Sequence, residues 1–446
     1  MNDRRGGARD CIAIGMIGLG TVGTGVFKIL EERGELLARR IGKPICLKKV
    51  LVRDPRKPRA VTLPDGVMTT DPAAILDDPE ISIVVEVMGG TTTACDYLLR
   101  AAAQGKHVVT ANKALLAERG GEILSACARH HVDIGFEASV CGGVPIIRTL
   151  REGLSGDEVE FLFAIVNGTS NYILTRMSQA GLSFADALRE AQEQGFAEAD
   201  PTLDVDGTDA AHKLAILAAI TYGVRVDFPS IPYAGITDLR PVDFEMAQKL
   251  GYRIKLLAIL ERRGSRIEAR VRPAMIPRGY LLASVEGANN AVYIRGKAVG
   301  PLMLYGKGAG QGPTANSIVA DLVEISRNLV LGVRRRVHPY SFRDETLRPA
   351  KILPLADRAG KTYLRMTVVD QPGVIAKVSR ILGNLGISIH STLLAGNKLG
   401  DHVPMVFLLH DAPYRAIEQA VRKIDALDVV RDKTLVLFIE DRQVRS

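Results

Sequence analysis

No apolar run in the 446 residues reaches the roughly 18 that a membrane-spanning helix needs, and the composition gives no reason to expect one. The nearest candidate runs from Cys11 to Val26 behind Arg4, Arg5 and Arg9. It has the basic-then-apolar order of an export signal, but its glycines have a better explanation, given below. Without a signal or a span, the expected location is the cytoplasm. Cysteine is scarce: Cys11, Cys46, Cys95, Cys127 and Cys141 are odd in number and form no CxxC or Cys/His zinc spacing. The expectation is reduced, mostly buried thiols in a reducing compartment. There is no low-complexity tract and no repeat. Positive charge is in moderate excess, at a net +8, which favours anionic ligands. The densest basic run, Arg334–Arg335–Arg336, has no aromatic residues interleaved. It reads as a solvated linker face, and no nucleic-acid partner is expected.

What is present is enough for about two to four domains. Over residues 1–150, strand-like and helix-like segments alternate: Ile12–Ile17, Val22–Arg40, Leu47–Val52, Ser82–Met88, Thr93–Ala103, His107–Val109, Ala114–Arg129 and Val132–Phe136. That alternation predicts βαβ units and a parallel sheet, an α/β domain. Residues 151–310 read as an α+β domain, with strands at Glu160–Val166, Ile254–Leu260, Arg266–Val271 and Ala291–Arg295. Helices are expected there from Asn167–Gly168–Thr169–Ser170–Asn171 onward, at Phe184–Gln194 and at Asp209–Ile220. From Leu302 to Val330 a glycine-rich loop leads into a long helix, about 311–333, expected to return to the first domain. Residues 334–360 read as an Arg- and Pro-rich linker. Over 361–446 the order is βαββαβ, the split βαβ of a small ferredoxin-like domain. Its segments are Tyr363–Val369, Val374–Leu385, Ile387–Ala395, His402–His410, Tyr414–Ala426 and Thr434–Ile439.

Gly18-Leu19-Gly20-Thr21-Val22-Gly23 follows a strand and opens a helix. In a dinucleotide-binding turn the first glycine permits the tight turn, the second admits the pyrophosphate, and the third lets helix and sheet pack closely. Thr21 and Val22 then sit at the helix N-terminus, whose free N–H groups face the phosphates. The second strand ends in Arg53, followed by Asp54, Arg56 and Lys57. Arg53 and Lys57 favour the 2′-phosphate of NADP, while Asp54 leaves NAD open.

Asp209 and Lys213 are four residues apart and share one helix face. The helix continues Leu214-Ala215-Ile216-Leu217-Ala218-Ala219-Ile220, apolar nearly all round, and so is buried. A lysine at its start is desolvated and held in place, which suits it to donate a proton as hydride reaches a carbonyl carbon. The alternative is a structural pair, with Asp206 as N-cap and Asp209 near the helix dipole.

The segments Thr110–Leu115, Phe136–Pro145, Asn167–Leu174, Glu198–Lys213 and Gly306–Gly310 with Pro313-Thr314 together resemble the homoserine dehydrogenase family. The resemblance covers roughly residues 12–335 and implies several roles. Lys213 would be the proton donor and acceptor, and Glu198 and Asp209 would bind the substrate's amino group. Lys113 would lie by the nicotinamide and reacting carbonyl, with Thr91, Gly195 and Gly310 touching the cofactor. A monovalent cation, Na+ or K+, would sit on the Glu137 carboxylate and the carbonyls of Val140, Gly142 and Val144, hard oxygen ligands for a hard ion. Cys141 stands where glycine is common in the family. The implied reaction interconverts L-aspartate 4-semialdehyde and L-homoserine with NADP (NAD also possible), on the branch toward threonine, methionine and isoleucine. With no aspartate-kinase segment before the dehydrogenase, the single-activity form is expected, as a homodimer or homotetramer. Two other readings remain: an amino-acid sensor on a non-catalytic dehydrogenase body, and a dehydrogenase for another semialdehyde or hydroxy acid.

The terminal βαββαβ unit with Asp370-Gln371-Pro372-Gly373-Val374 resembles an ACT domain. Such domains commonly pair and bind amino acids, which implies feedback by L-threonine at the Gly373–Val374 turn. A dimerisation domain without a ligand is the alternative.

Overall fold

The computed structural model describes residues 11–394 and 402–441. Arg4, Arg5, Arg9 and the expected strand end at Ala395 lie outside them. In chain order the elements begin β1 (Ile12–Ile17), α1 (Thr21–Ile41), β2 (Ile45–Leu51), β3 (Met68–Thr69), α2 (Ala73–Leu76), β4 (Ile81–Glu86), α3 (Thr93–Ala103), β5 (His107–Thr110), α4 (Lys113–Arg129), β6 (Ile134–Gly135) and α5 (Ile146–Arg148). Then come β7 (Val159–Ile165), α6 (Gly168–Ala180), α7 (Phe184–Glu193), α8 (Thr202–Val205), α9 (Thr208–Tyr222), β8 (Val224–Arg225), α10 (Pro241–Lys249), β9 (Tyr252–Arg263), β10 (Arg266–Pro277), β11 (Asn289–Gly296) and β12 (Gly300–Lys307). The remainder is α11 (Gln311–Val330), β13 (Arg348–Pro349), β14 (Ala359–Val369), α12 (Val374–Asn384), β15 (Ile389–Leu394), β16 (His402–Pro413), α13 (Tyr414–Asp425) and β17 (Leu435–Ile439). The chain divides into two units, one of residues 1–158, 215–228 and 304–349, the other of 159–214, 229–303 and 350–446.

The first unit holds a parallel sheet in the order β3-β2-β1-β4-β5-β6, the doubly wound order of a Rossmann domain. The central strand β1 is a continuous apolar run and β4 nearly one, as strands covered on both faces are. Ile14, Met16, Ile83 and Val85 are fully buried and pack with Val26 of α1 and Ala315, Ile318 and Leu322 of α11. Each such side chain contributes about 1.5–3 kcal/mol. The fit of α1 to α11 depends on Gly25, where a Cβ would meet Gln311 O at 2.6 Å.

The second unit is organised on a sheet in the order β12-β11-β7-β9-β10-β17-β14-β16-β15. Its last four members, with α12 and α13, form the ferredoxin-like module expected from the βαββαβ order. This module is not a separate bead: β17 pairs parallel to β10 on one side (Ala274↔Phe438) and antiparallel to β14 on the other. At that seam lies a buried ion network. Arg270 donates to Glu268 at 2.8 Å and Glu440 at 2.7 Å, and Arg358 joins both carboxylates beneath the Phe438 ring.

Four expectations change. Cys11 and Cys46 form a disulfide, with Cα atoms 6.0 Å apart, where all five thiols were expected to be reduced. Cys11 directly precedes β1, and β1 lies alongside β2 with Ile12 opposite Ile45, so the sheet brings the two sulfurs within reach. Cys95, Cys127 and Cys141 are free and buried, and burial pushes the Cys127 thiol up to about 12. The supposed glycine-rich loop after Leu302 begins as strand β12. The basic run is not simply solvated: Arg335 pairs with Asp344, and Arg336 with Glu152 at 3.2 Å. Finally, α10 was missed.

Candidate active site

In the first unit the C-terminal ends of β1, β4 and β5 converge, the usual ligand crevice of such a sheet. Gly18 has φ +105°, and a Cβ there would meet Val87 O at 2.8 Å. Gly23 has the Gly18 carbonyl 2.5 Å from where its Cβ would be. Gly20 caps α1 and has nothing within 4 Å of its Cβ position, so the space above the helix N-terminus is open. Thr21 and Val22 start that helix. Gly310, at φ +114°, caps α11, whose first residue packs on Gly25. These are the features a pyrophosphate cradle requires, and each glycine has a separate cause.

The β4 end is shaped by its last residue, a carboxylate. Glu86 is fully buried. Its Oε1 accepts the amides of Met88 (2.9 Å) and Gly89 (3.1 Å), and its Oε2 accepts the Thr110 hydroxyl at 2.6 Å. Asn112 donates to Gly90 O at 2.7 Å and caps α4 through the Leu115 amide. Together they fix the loop carrying Thr91 and the first residue of α4, Lys113. Arg53 and Lys57 lie just past β2 in an exposed turn. Asp54 is turned inward on that turn, its Oδ1 accepting the Arg56 amide at 2.8 Å.

The second unit holds the lysine cluster. Lys213 Nζ donates to Asp209 Oδ2 and to Val166 O, both at 2.7 Å. Asn167, the N-cap of α6, donates to Asp209 Oδ2 at 2.8 Å and to Asp204 Oδ1 at 2.7 Å. Asp206 Oδ1 accepts the Thr208 amide at 2.8 Å, so it ties down the first residue of α9 from one place ahead of the cap position, Gly207, and not from the cap position expected of it. Lys213 is 8% exposed and Asp209 4%, so this ion pair is desolvated, and Val166 O and Asn167 add hydrogen bonds to it. The sequence reading missed Asn290, which is fully buried. Its Nδ2 holds the same Val166 carbonyl at 3.0 Å, and its Oδ1 has no partner. No motif marked it, because a single asparagine in a strand carries no spacing. Glu198 is exposed on the loop that Gly195 (φ +73°) begins. That loop is tied down by Thr169 Oγ1 donating to Phe196 O and by Phe196 against Tyr172.

The loop 137–145 packs on 307–317 in the first unit. Gly143 N donates to Lys307 O at 3.1 Å, and Ser317 Oγ to Gly142 O at 2.7 Å. Cys141 has φ +56°, a left-handed backbone conformation that glycine adopts most readily. The Glu137 carboxylate accepts the amides of Ile147 and Arg148, each at 2.9 Å, and so caps α5. Val144 O accepts the Ile146 amide. The oxygen-rich character suits a hard cation, but the carboxylate is turned toward α5. Beneath it, burial together with the Glu137 charge pushes Asp321 up to about 7.

The chain matches the description "Homoserine dehydrogenase, NAD binding domain" over residues 18–137 and "Homoserine dehydrogenase" over 145–323. It is 42% identical over 430 residues to the homoserine dehydrogenase of Pseudomonas aeruginosa, covering 96% of this chain and 99% of that one. The chain belongs to the homoserine dehydrogenase family. Residues 362–426 match the ACT domain. The crystal structure of a homoserine dehydrogenase from Thiobacillus denitrificans superposes with a TM-score of 0.90 at 44% identity, over 97% of this chain and 99% of that one. A hyperthermophilic archaeal homoserine dehydrogenase solved in complex with NADPH superposes at 0.61 and 28% identity, over 71% and 97%. The chain is thus an oxidoreductase of this family, with a Rossmann-type NAD-binding domain and an ACT module. No described helix is long and apolar enough to cross a membrane.

Proposed function

We propose that the protein interconverts L-aspartate 4-semialdehyde and L-homoserine, serving threonine, methionine and isoleucine formation. The observation that carries this is the buried Lys213, held by Asp209 and the Val166 carbonyl in a chain of this family. When bound, the nicotinamide supplies the hydride or takes it back. Lys213 gives a proton to the oxygen on which charge develops, and recovers it in the reverse direction. Asp209 fixes the ammonium of Lys213 and, with Glu198, presents negative charge to the substrate's own ammonium. Because Glu198 is on an exposed loop, its contribution is made on substrate binding. Lys113, fixed at the end of β5, adds positive charge beside the carbonyl. A vestigial sensor would not need to keep this cluster hydrogen-bonded and buried. The test is nicotinamide absorbance with L-homoserine, NADP+ and NAD+ in parallel. No turnover from folded, dinucleotide-binding protein would remove the assignment.

NADP is the proposed coenzyme, with the phosphate on Arg53 and Lys57, and Gly195 and Gly310 touching the cofactor. The NADPH-bound relative supports this reading. Arg53→Asp is expected to lower kcat/KM with NADP+ by roughly tenfold or more, the scale of one charge-assisted hydrogen bond. Activity with NAD+ should be kept. Equal losses with both coenzymes would place Arg53 outside the phosphate site.

Na+ or K+ is proposed on the loop carbonyls of Val140, Gly142 and Val144. In the arrangement seen, Glu137 supports that loop by capping α5, and it needs to turn to become a ligand itself.

L-Threonine is the proposed effector, bound at the Gly373–Val374 turn of paired ACT modules in a homodimer or homotetramer. Gly373 has φ +87° and caps α12, leaving N–H groups for a carboxylate. Threonine titration should lower turnover and raise the melting temperature. Constancy in both would leave the module a purely structural one.

A further inference from the structure

Lys213 Nζ has two acceptors, and one of them is a main-chain carbonyl, that of Val166. The Asp209 carboxylate can turn about its side-chain bonds. A carbonyl oxygen moves only with its backbone. Val166 lies between the end of β7 and the Asn167 cap of α6, so its aim depends on what holds that stretch of chain.

Asn290 holds it. Strand β11 pairs antiparallel to β7 with Ala291 opposite Ile165, which places Asn290 across from Val166. Its Nδ2 donates to Val166 O at 3.0 Å, so the amide and the Lys213 ammonium share one acceptor. A carbonyl oxygen has two lone pairs, and here each donor can take one. The amide oxygen of Asn290 is buried without a partner. An unpaired buried acceptor costs stability. A leucine of similar size would fill the place without that cost, so stability alone does not account for an asparagine here.

Asn290 is anchored in turn from behind, all within the second unit. Asn171, on α6 one turn after the Asn167 cap, reaches three carbonyls with its Nδ2: Gly287 at 2.8 Å, Val285 at 3.2 Å and Asn289 at 3.4 Å. Its Oδ1 accepts Lys255 Nζ at 3.3 Å, and the same ammonium donates to Val285 O. Lys255, on β9, is only 4% exposed. Thr175 Oγ1 accepts the Gly287 amide at 3.1 Å. The chain entering β11 is thus pinned to α6 and β9 immediately before Asn290.

We propose that Asn290 is a positioning residue for proton transfer: it holds the Val166 carbonyl, and through it Lys213 Nζ, in the reactive place, while Asn171 and Lys255 fix the chain that carries it. This deepens the reading of Lys213 as proton donor and rests on that reading. Without the amide, the carbonyl drifts with its backbone, and the ammonium spends time where its proton does not reach the substrate oxygen. A displacement of about 1 Å is enough to cost up to about 100-fold in rate.

The test is Asn290→Leu in the full-length protein, beside wild type. Its melting temperature should stay within a few degrees of wild type or rise. The KM values for L-homoserine and coenzyme should stay within a few-fold. Its kcat should fall by about tenfold to 100-fold. The solvent deuterium isotope effect on kcat should increase, because proton transfer becomes the slower step. Labelling by an amine-acylating reagent, mapped by peptide mass, should be several-fold faster at Lys213 in the variant. That readout needs no turnover: faster labelling in a protein whose wild type does not oxidise L-homoserine removes the assigned reaction and upholds the hold on Lys213. Asn290→Ala, which only deletes atoms, is read in the same way if the leucine variant does not fold. Unchanged kcat in a folded variant overturns the proposal, and so does unchanged labelling of Lys213. Lowered melting with kcat and isotope effect intact, the pattern of a purely structural asparagine, overturns it as well.

Discussion

Lys213→Ala is expected to lower turnover of L-homoserine by about 10²- to 10⁴-fold, the usual contribution of a positioned proton donor. Two effects combine. The group that exchanges the proton is gone, and Asp209, a buried carboxylate that also accepts from Asn167, loses its cation. The glycine turn, Thr91 and Lys113 belong to the other unit, so dinucleotide affinity should stay within a few-fold. Lys213→Arg makes the argument sharper. It restores the positive charge but cannot release a proton near neutral pH, so it should regain folding stability and substrate affinity without regaining kcat. Steady-state kinetics with both coenzymes, beside fluorescence titration of the reduced coenzyme, read these quantities separately. Substantial turnover by Lys213→Ala would assign proton transfer to another group and leave Lys213 a structural ion pair.

A second large effect is expected at a position with no chemistry of its own. Gly235→Ala should destabilise the protein by about 1–3 kcal/mol or more, the cost of overpacking, and should reduce kcat as well. A Cβ at 235 would stand 2.5 Å from Asp206 Cα and closer still to the Val205 carbonyl. Both are backbone, so no rotamer change relieves the clash. The segment 234–236 is fixed on its other side, where Ala234 N donates to Val271 O at 2.9 Å. The turn at Asp206 must therefore yield, and that turn caps the helix bearing Asp209 and Lys213. Thermal unfolding and kinetics of the same variant test both halves. Unchanged melting would mean the segment can move away freely. Lowered melting with intact kcat would detach it from the site.

Much of this was legible in the chain, for identifiable reasons. The glycine turn is readable because each glycine answers a different steric demand within six residues. Asp209 and Lys213 are readable because four-residue spacing places them on one face of a helix otherwise apolar. What escaped was long-range or weakly patterned. Asn290 reaches the lysine only through the Val166 carbonyl, 124 residues earlier in the chain. Cys11 and Cys46 lie 35 residues apart without a motif, and only the pairing of β1 with β2 joins them. The helix α10 has a proline at its first position and few apolar residues. Strand β12 has glycines near both ends and alternates irregularly, so it read as loop. The ferredoxin-like order of the last module was plain, but its attachment to β10 was not, since nothing local in β17 names a second partner.

That attachment sets an order of events. Every other strand of the nine-membered sheet precedes β17 in the chain, yet β17 occupies an interior place between β10 and β14. Until it arrives, two long strand edges stand open, and contacts between residues as distant as Ala274 and Phe438 have still to form. Late closure of this kind slows folding and invites strand exchange between copies. During expression, then, the vulnerable species is a chain whose catalytic half is complete in sequence but whose sheet is still waiting for its keystone.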